Sequence, residues 1–124
     1  MAKKILLIED ETNIRSMYAE MLRDAGYEVH EVVEGAQGLE VAKTELWDLL
    51  LLDIMLPSMD GVELLRAIKS DPNTKDRPVV IVTNLGDDDI RSTCAQLGAK
   101  EFLVKAEVTP ADVVLTVKKY VFND

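Results

Sequence analysis

Cysteine is nearly absent from this chain. The single Cys94 rules out an intrachain disulfide and any multi-cysteine metal site, and it points to a reducing, cytoplasmic setting. Long apolar runs are missing as well. None approaches the ~20 residues a helix needs to cross a bilayer, so no membrane association is expected. The amino-terminal stretch Ile5-Leu6-Leu7-Ile8 is too short for a signal peptide, lacks a small-residue cleavage site and runs straight into Glu9-Asp10-Glu11. It reads as a first strand. Positive charge is scarce: 14 Lys and Arg stand against 23 Asp and Glu, a formal net charge of −9. Nucleic-acid phosphates demand a basic footprint, so direct nucleic-acid binding is not expected. Linkers and repeats are also lacking, which leaves residues 1–124 as one domain. The chain could equally be one domain cut from a longer protein, though the start at Met1 and the end just after a helical pattern favour a complete protein without an output domain.

What the chain does contain is a strict alternation of two periodicities. Residues 3–8 form a near-continuous apolar run, as a parallel strand buried on both faces requires. A helical pattern follows, with Ile14, Met17, Tyr18, Met21, Leu22 and Ala25 on one face and Gly26 as its stop. Residues 27–33 predict a second strand. Its Glu28, His30 and Glu31 suit an exposed edge. A short helix over 35–45 precedes residues 48–53, whose four consecutive leucines are the most core-like segment of the chain.

The stretch 54–60 reads as a loop, 61–70 as a helix ended by Asp71-Pro72, and the β-branched 78–83 as a fourth strand. A helix over 87–97 opens on three aspartates, where the helix dipole favours them. A fifth strand covers 101–104. Thr109 as N-cap and Pro110 at the first helical position start the last helix, with Val113, Val114, Val117, Tyr120 and Val121 on its apolar face. Five strands alternating with five helices give an α/β fold, a doubly wound, flavodoxin-like parallel sheet. The order 2-1-3-4-5 is chosen because the second strand is the most polar.

Such sheets bind ligands at the carboxyl ends of their strands. In that order Glu9, Asp10, Asp53, Thr83 and Lys105 converge on one pocket. Each has an ordinary reading alone: a turn former, a strand-end threonine, a solvated lysine, an acidic helix start. Together they are harder to dismiss, because three carboxylates in one pocket repel one another. A divalent cation resolves that repulsion, and hard oxygen ligands near a phosphate site favour Mg²⁺.

These residues resemble the receiver domain of two-component response regulators, closest in size to the stand-alone chemotaxis type. The resemblance rests on Glu9-Asp10 after Ile5-Leu6-Leu7-Ile8, and on Leu50-Leu51-Leu52-Asp53-Ile54-Met55-Leu56-Pro57-Ser58-Met59-Asp60-Gly61. It also rests on Thr83 after a Val/Ile strand, Gly98-Ala99 and Phe102-Leu103-Val104-Lys105. It covers essentially the whole chain. It implies that Asp53 is the nucleophile that becomes an aspartyl phosphate. Asp10, Asp53 and the Met55 backbone carbonyl would ligate Mg²⁺, with Glu9 acting directly or through water. Lys105 would pair with a phosphoryl oxygen. Thr83 would bond another, with Phe102 turning in behind it to change the face of the fourth helix, fifth strand and fifth helix. The implied partners are a sensor histidine kinase or a histidine phosphotransfer protein and a downstream protein target, the chain itself being a monomer or a phosphorylation-dependent homodimer. It would be a signalling switch rather than an enzyme, although it catalyses its own phosphorylation and dephosphorylation.

Several positions depart from the family pattern. Ala106 stands where a proline after a cis peptide is usual, and a cis bond there would cost about 2.5–4 kcal/mol. A trans bond and a reshaped loop are expected. Met55 and Leu85 are bulky where family members often admit the hydrolysing water. Phe102 replaces a tyrosine. His30 reads as a surface residue, Cys94 as part of the buried side of the fourth helix with Ile90 and Leu97, and Trp47 as a packing residue. An aspartate-nucleophile phosphatase would need a second Asp where Met55 stands. An FMN carrier would need a Ser/Thr/Gly-rich loop where Glu9-Asp10-Glu11 stands. A phosphate-independent interaction module of the same fold is the remaining alternative.

Overall fold

Four leucines in a row can form a strand only if water reaches neither face, and that condition sets the architecture. In the computed structural model, which describes residues 2–122, strand β3 (Leu49–Leu52) is completely buried. It lies at the centre of a five-stranded parallel sheet with β1 (Lys4–Ile8), β2 (Glu28–Val32), β4 (Val79–Thr83) and β5 (Glu101–Val104), in the order β2-β1-β3-β4-β5. The expected order and winding are therefore present. β2 is the most polar strand and sits at an edge, with Glu28 exposed. Helices α1 (Thr12–Asp24) and α5 (Pro110–Tyr120) cover one face, over Leu49 and Leu51. Helices α2 (Gly35–Thr44), α3 (Gly61–Ser70) and α4 (Asp88–Leu97) cover the other, over Leu50 and Leu52. Side chains alternate across a strand, so one run of leucines feeds both cores.

Local signals place the helices. Asp60 Oδ1 accepts the Val62 N–H at 2.7 Å, and Asp87 Oδ1 accepts the Asp89 N–H at the same distance. Asp87 is thus a cap, and only Asp88 and Asp89 occupy the first turn of α4. At α5, Thr109 and Asp112 form a reciprocal capping box ahead of the valines. The inner face of α1 is rotated from the expected one: Tyr18, Ala19 and Leu22 are buried, whereas Met17 is exposed. Cys94 is buried on α4, beside half-buried Ile90 and Leu97. Among the described residues no helix is long and apolar enough to cross a membrane.

At the amino ends of the strands, Glu45 gathers several elements. Its Oε1 takes both Lys4 Nζ and His30 Nδ1 at 2.9 Å, and its carbonyl accepts from Arg77. His30 is therefore a half-buried partner of Glu45 rather than a free surface residue. Trp47 is buried, donates its indole N–H to the Ala42 carbonyl and lies under the Arg77 guanidinium.

Two expectations follow from the fold. A Cβ added at Gly61 would lie 2.6 Å from the Asp53 carbonyl and from Ile54 Cα, both backbone atoms that cannot swing away. Gly61→Ala should destabilise the protein by about 1–3 kcal/mol in urea unfolding, as overpacking does. The Lys4 ammonium, then His30, lowers the Glu45 carboxyl below its ordinary range. A depressed carboxylate stabilises the fold above its unfolded pKa of about 4.3, and that contribution is lost as pH falls through the folded value. The stability gap between the wild type and Glu45→Gln should therefore be present at pH 7 and close in acid below that window, as read from urea midpoints.

Candidate functional site

The carboxyl ends of β1, β3 and β5 bring four charged side chains together. β1 delivers Glu9 and Asp10, β3 delivers Asp53, and β5 delivers Lys105. Lys105 Nζ lies 2.9 Å from Asp53 Oδ2 and 2.5 Å from Glu9 Oε1, with Glu11 Oε1 at 3.8 Å. Carboxylate oxygens of Glu9, Asp10 and Asp53 all fall within 4.8 Å of one another. Asp53 and Glu9 are only 5% and 2% exposed, while Asp10 is open to solvent.

Each acid is held from its own side. Asp53 Oδ1 accepts the Met55 N–H at 3.0 Å, so the turn after β3 aims the carboxylate. Glu9 Oε2 accepts the Glu11 N–H at 3.0 Å. Burial pushes the Glu9 carboxyl up, with the Asp53 charge adding to it, against the lowering by the Lys105 ammonium and the Glu11 N–H. For Lys105, burial alone would lower the pKa. The hydrogen bonds and charges of Asp53 and Glu9 outweigh burial and hold it up at about 12. The lysine thus stays an ammonium at neutral pH. Tyr18 of α1 packs close beneath this group, and burial raises its phenol pKa.

A solvent-open cleft of about 230 Å³ lies over the acids, lined by Asp10, Glu11, Asp53, Met55, Asn84 and Lys105. Thr83 is not on its wall. It is fully buried, and its Oγ1 accepts the Leu85 N–H at 3.3 Å. Phe102 is half-buried beside the core of α3 and α4, with the Arg91 guanidinium 4.9 Å above its ring. The Lys105–Ala106 peptide is trans, and the chain turns there through a short 3-10 helix, Lys105–Glu107. The reshaped loop still brings the ammonium to Asp53.

The loop between β3 and α3 is pinned from two directions. Ser58 Oγ accepts the Ala36 N–H and the Pro57 carbonyl accepts the Gly35 N–H, tying the loop to the start of α2. Ser58 adopts a left-handed φ of 67°, uncommon for a residue with a side chain and concentrated at functional loops. Beside it an open groove of about 670 Å³ is lined by Met55, Met59 and Leu85 among others.

The sequence reading brought Glu9, Asp10, Asp53 and Lys105 together, and so does the structure. It missed Asn84 and Glu11 on the cleft wall and Tyr18 beneath. Their signals were slight: Asn84 follows Thr83, Glu11 follows the acidic pair, and Tyr18 lies on the inner face of α1. The clustered donors are all carboxylates, met by the single Lys105 ammonium. This set fits a hard divalent cation such as Mg²⁺ and disfavours a soft one.

The sequence matches the model of the response regulator receiver domain over residues 5–118. It is 37% identical over 116 residues to the phosphate regulon transcriptional regulatory protein PhoB of Pseudomonas aeruginosa, covering 94% of this chain and 50% of that protein. The chain spans half or less of the length of such curated relatives. Among solved structures, a CheY-like response regulator receiver domain protein from Methanospirillum hungatei superimposes with a TM-score of 0.89 at 28% identity, covering 96% of this chain and 93% of that one. The receiver domain of the sensor histidine kinase PA1611 from Pseudomonas aeruginosa, described with a magnesium ion coordinated in its active-site cleft, gives 0.86 at 28% identity, covering 97% and 98%. With the sheet order, the acid cluster and the strand-five lysine all in place, the chain belongs to the receiver domains of two-component response regulators.

Proposed function

We propose that this domain accepts a phosphoryl group on Asp53 from a sensor histidine kinase or a histidine phosphotransfer protein, and signals by reversible contact with a downstream protein. The observation that carries this reading is a buried nucleophile already paired with a cation: Asp53 Oδ2 lies 2.9 Å from Lys105 Nζ at the floor of an open cleft. A carboxylate oxygen of Asp53 forms the bond to phosphorus as the phosphorus–nitrogen bond of the donor phosphohistidine breaks, its electron pair leaving on the imidazole nitrogen. The Met55 N–H keeps the carboxylate oriented during approach. The Lys105 ammonium shifts from Asp53 toward a phosphoryl oxygen as a mobile point charge.

Asp10, Asp53 and the Met55 backbone carbonyl would hold Mg²⁺. Glu9 would act through water, since both its carboxylate oxygens already accept hydrogen bonds. When bound, the ion supplies countercharge to the transferring phosphoryl group. Thr83 Oγ1 accepts a long bond from Leu85, which leaves its own proton for a phosphoryl oxygen. To reach it, Thr83 must move toward the cleft. Phe102, on the same sheet face as Thr83, then follows inward and alters the surface of α4, β5 and α5.

Incubation with acetyl phosphate and Mg²⁺ should add one phosphoryl mass to the wild type. The adduct should be absent without Mg²⁺ and absent in Asp53→Asn. A folded, Mg²⁺-replete wild type that takes up no phosphoryl group would defeat this reading. Met55 and Leu85 line one groove beside the cleft, and on this reading their bulk would obstruct a hydrolysing water. Once phosphorylated, Met55→Asn and Leu85→Glu should lose the phosphoryl group several-fold faster than the wild type, measured by the decay of the adduct. Equal or longer lifetimes would rule out that shielding.

A further inference from the structure

Two acids of the site, Glu9 and Asp10, flank a peptide whose carbonyl bonds to an arginine outside the cleft. Arg15, in the first turns of α1, donates from Nη1 to the backbone carbonyl of Glu9 at 3.2 Å. Its Nε lies 3.4 Å from Glu31 Oε1 on β2, and its side chain is only 14% exposed. Glu31 is itself braced by Arg23, whose Nη1 lies 3.0 Å from Oε2. The Glu9 carbonyl belongs to the peptide unit that joins Glu9 to Asp10. Rotation of that rigid plane would swing the two carboxylates relative to Asp53. We infer that Arg15 is a positioning residue: by holding this peptide against Glu31 it sets the separation of Glu9 and Asp10 from Asp53, and so the affinity of the site for a divalent cation. The inference rests on the cation role proposed above.

Geometry and charge predict opposite signs here, which makes the idea testable. A guanidinium near the acids repels an incoming cation, so its charge alone predicts tighter Mg²⁺ binding once it is removed. Positioning predicts weaker binding, because groups that orient metal ligands typically support affinity by ten-fold or more. Arg15→Met keeps an unbranched side chain of good helix propensity and removes every donor. Arg15→Lys keeps the charge but gathers its donors on one nitrogen, so it cannot reproduce the guanidinium's separate contacts, Nη1 to the Glu9 carbonyl and Nε to Glu31. Arg23→Met removes a like charge from the same Glu31 without touching Glu9.

The experiment is an Mg²⁺ titration of the full chain followed by the amide NMR shifts of Asp10 and Asp53. Arg15→Met should bind on the order of ten-fold more weakly than the wild type, Arg15→Lys should fall between, and Arg23→Met should stay within about two-fold. Unchanged or tighter binding in a folded Arg15→Met overturns the inference and leaves the phosphoacceptor reading standing. Should Arg15→Met fail to fold, wild-type affinity in Arg15→Lys overturns it as well. A wild type with no saturable Mg²⁺ response removes the cation role itself, and this inference with it.

Discussion

One ammonium makes the carboxyl end of this sheet habitable. Taking carboxylates out of water is costly unless a counter-charge and hydrogen bonds meet them there. Glu9 and Asp53 are both buried, Asp10 is a few ångströms away, and Lys105 is the cation that touches two of them. The lysine arrives from β5, the acids from β1 and β3, with β4 between β3 and β5. Charge balance at the site therefore depends on the strand order, and on a β5 that docks far enough along β4 to bring Thr83 opposite Val104. Fold and site are one constraint seen from two directions.

Lys105 already occupies the acids, meeting Glu9 and Asp53 together. The ammonium is a single charge facing several carboxylates, so the pocket keeps a surplus of negative potential. That surplus attracts a small hard cation and discourages an unaccompanied phosphate. Under the proposed function, a second positive charge would offset that surplus and so link occupancy by a metal to acceptance of a phosphoryl group.

Much of this was legible in the chain because it is written in strong local signals. The leucine run of β3, the cap Thr109 with Pro110 after it, and the acidic pair at the end of β1 each admit few structural outcomes. What could not be read has physical reasons. On α1 an alanine, Ala19, takes an inward position for which Met17 competes in any apolar pattern. The turn at Lys105–Glu107 is three residues long, too short to leave a period. Thr83 was placed in the pocket by its strand position, but it is sunk below the cleft wall. Arg15 contacts Glu9 across a loop whose course no spacing rule encodes.

The two ends of the strands divide their labour. The carboxyl ends carry loops, acids and the open cleft. The amino ends carry the fixed ties of Glu45 with Lys4 and His30, and of Arg77 with Trp47. Trp47 lies at the far end of β3 from Asp53, six residues earlier in the chain, a span of roughly 20 Å at ~3.3 Å per residue. It is the sole indole of the chain, sealed from water and hydrogen-bonded to Ala42. Its emission consequently reports whether the domain is folded, from a position remote from the acids. The protein thus carries an optical gauge of its own integrity, separate from its chemistry.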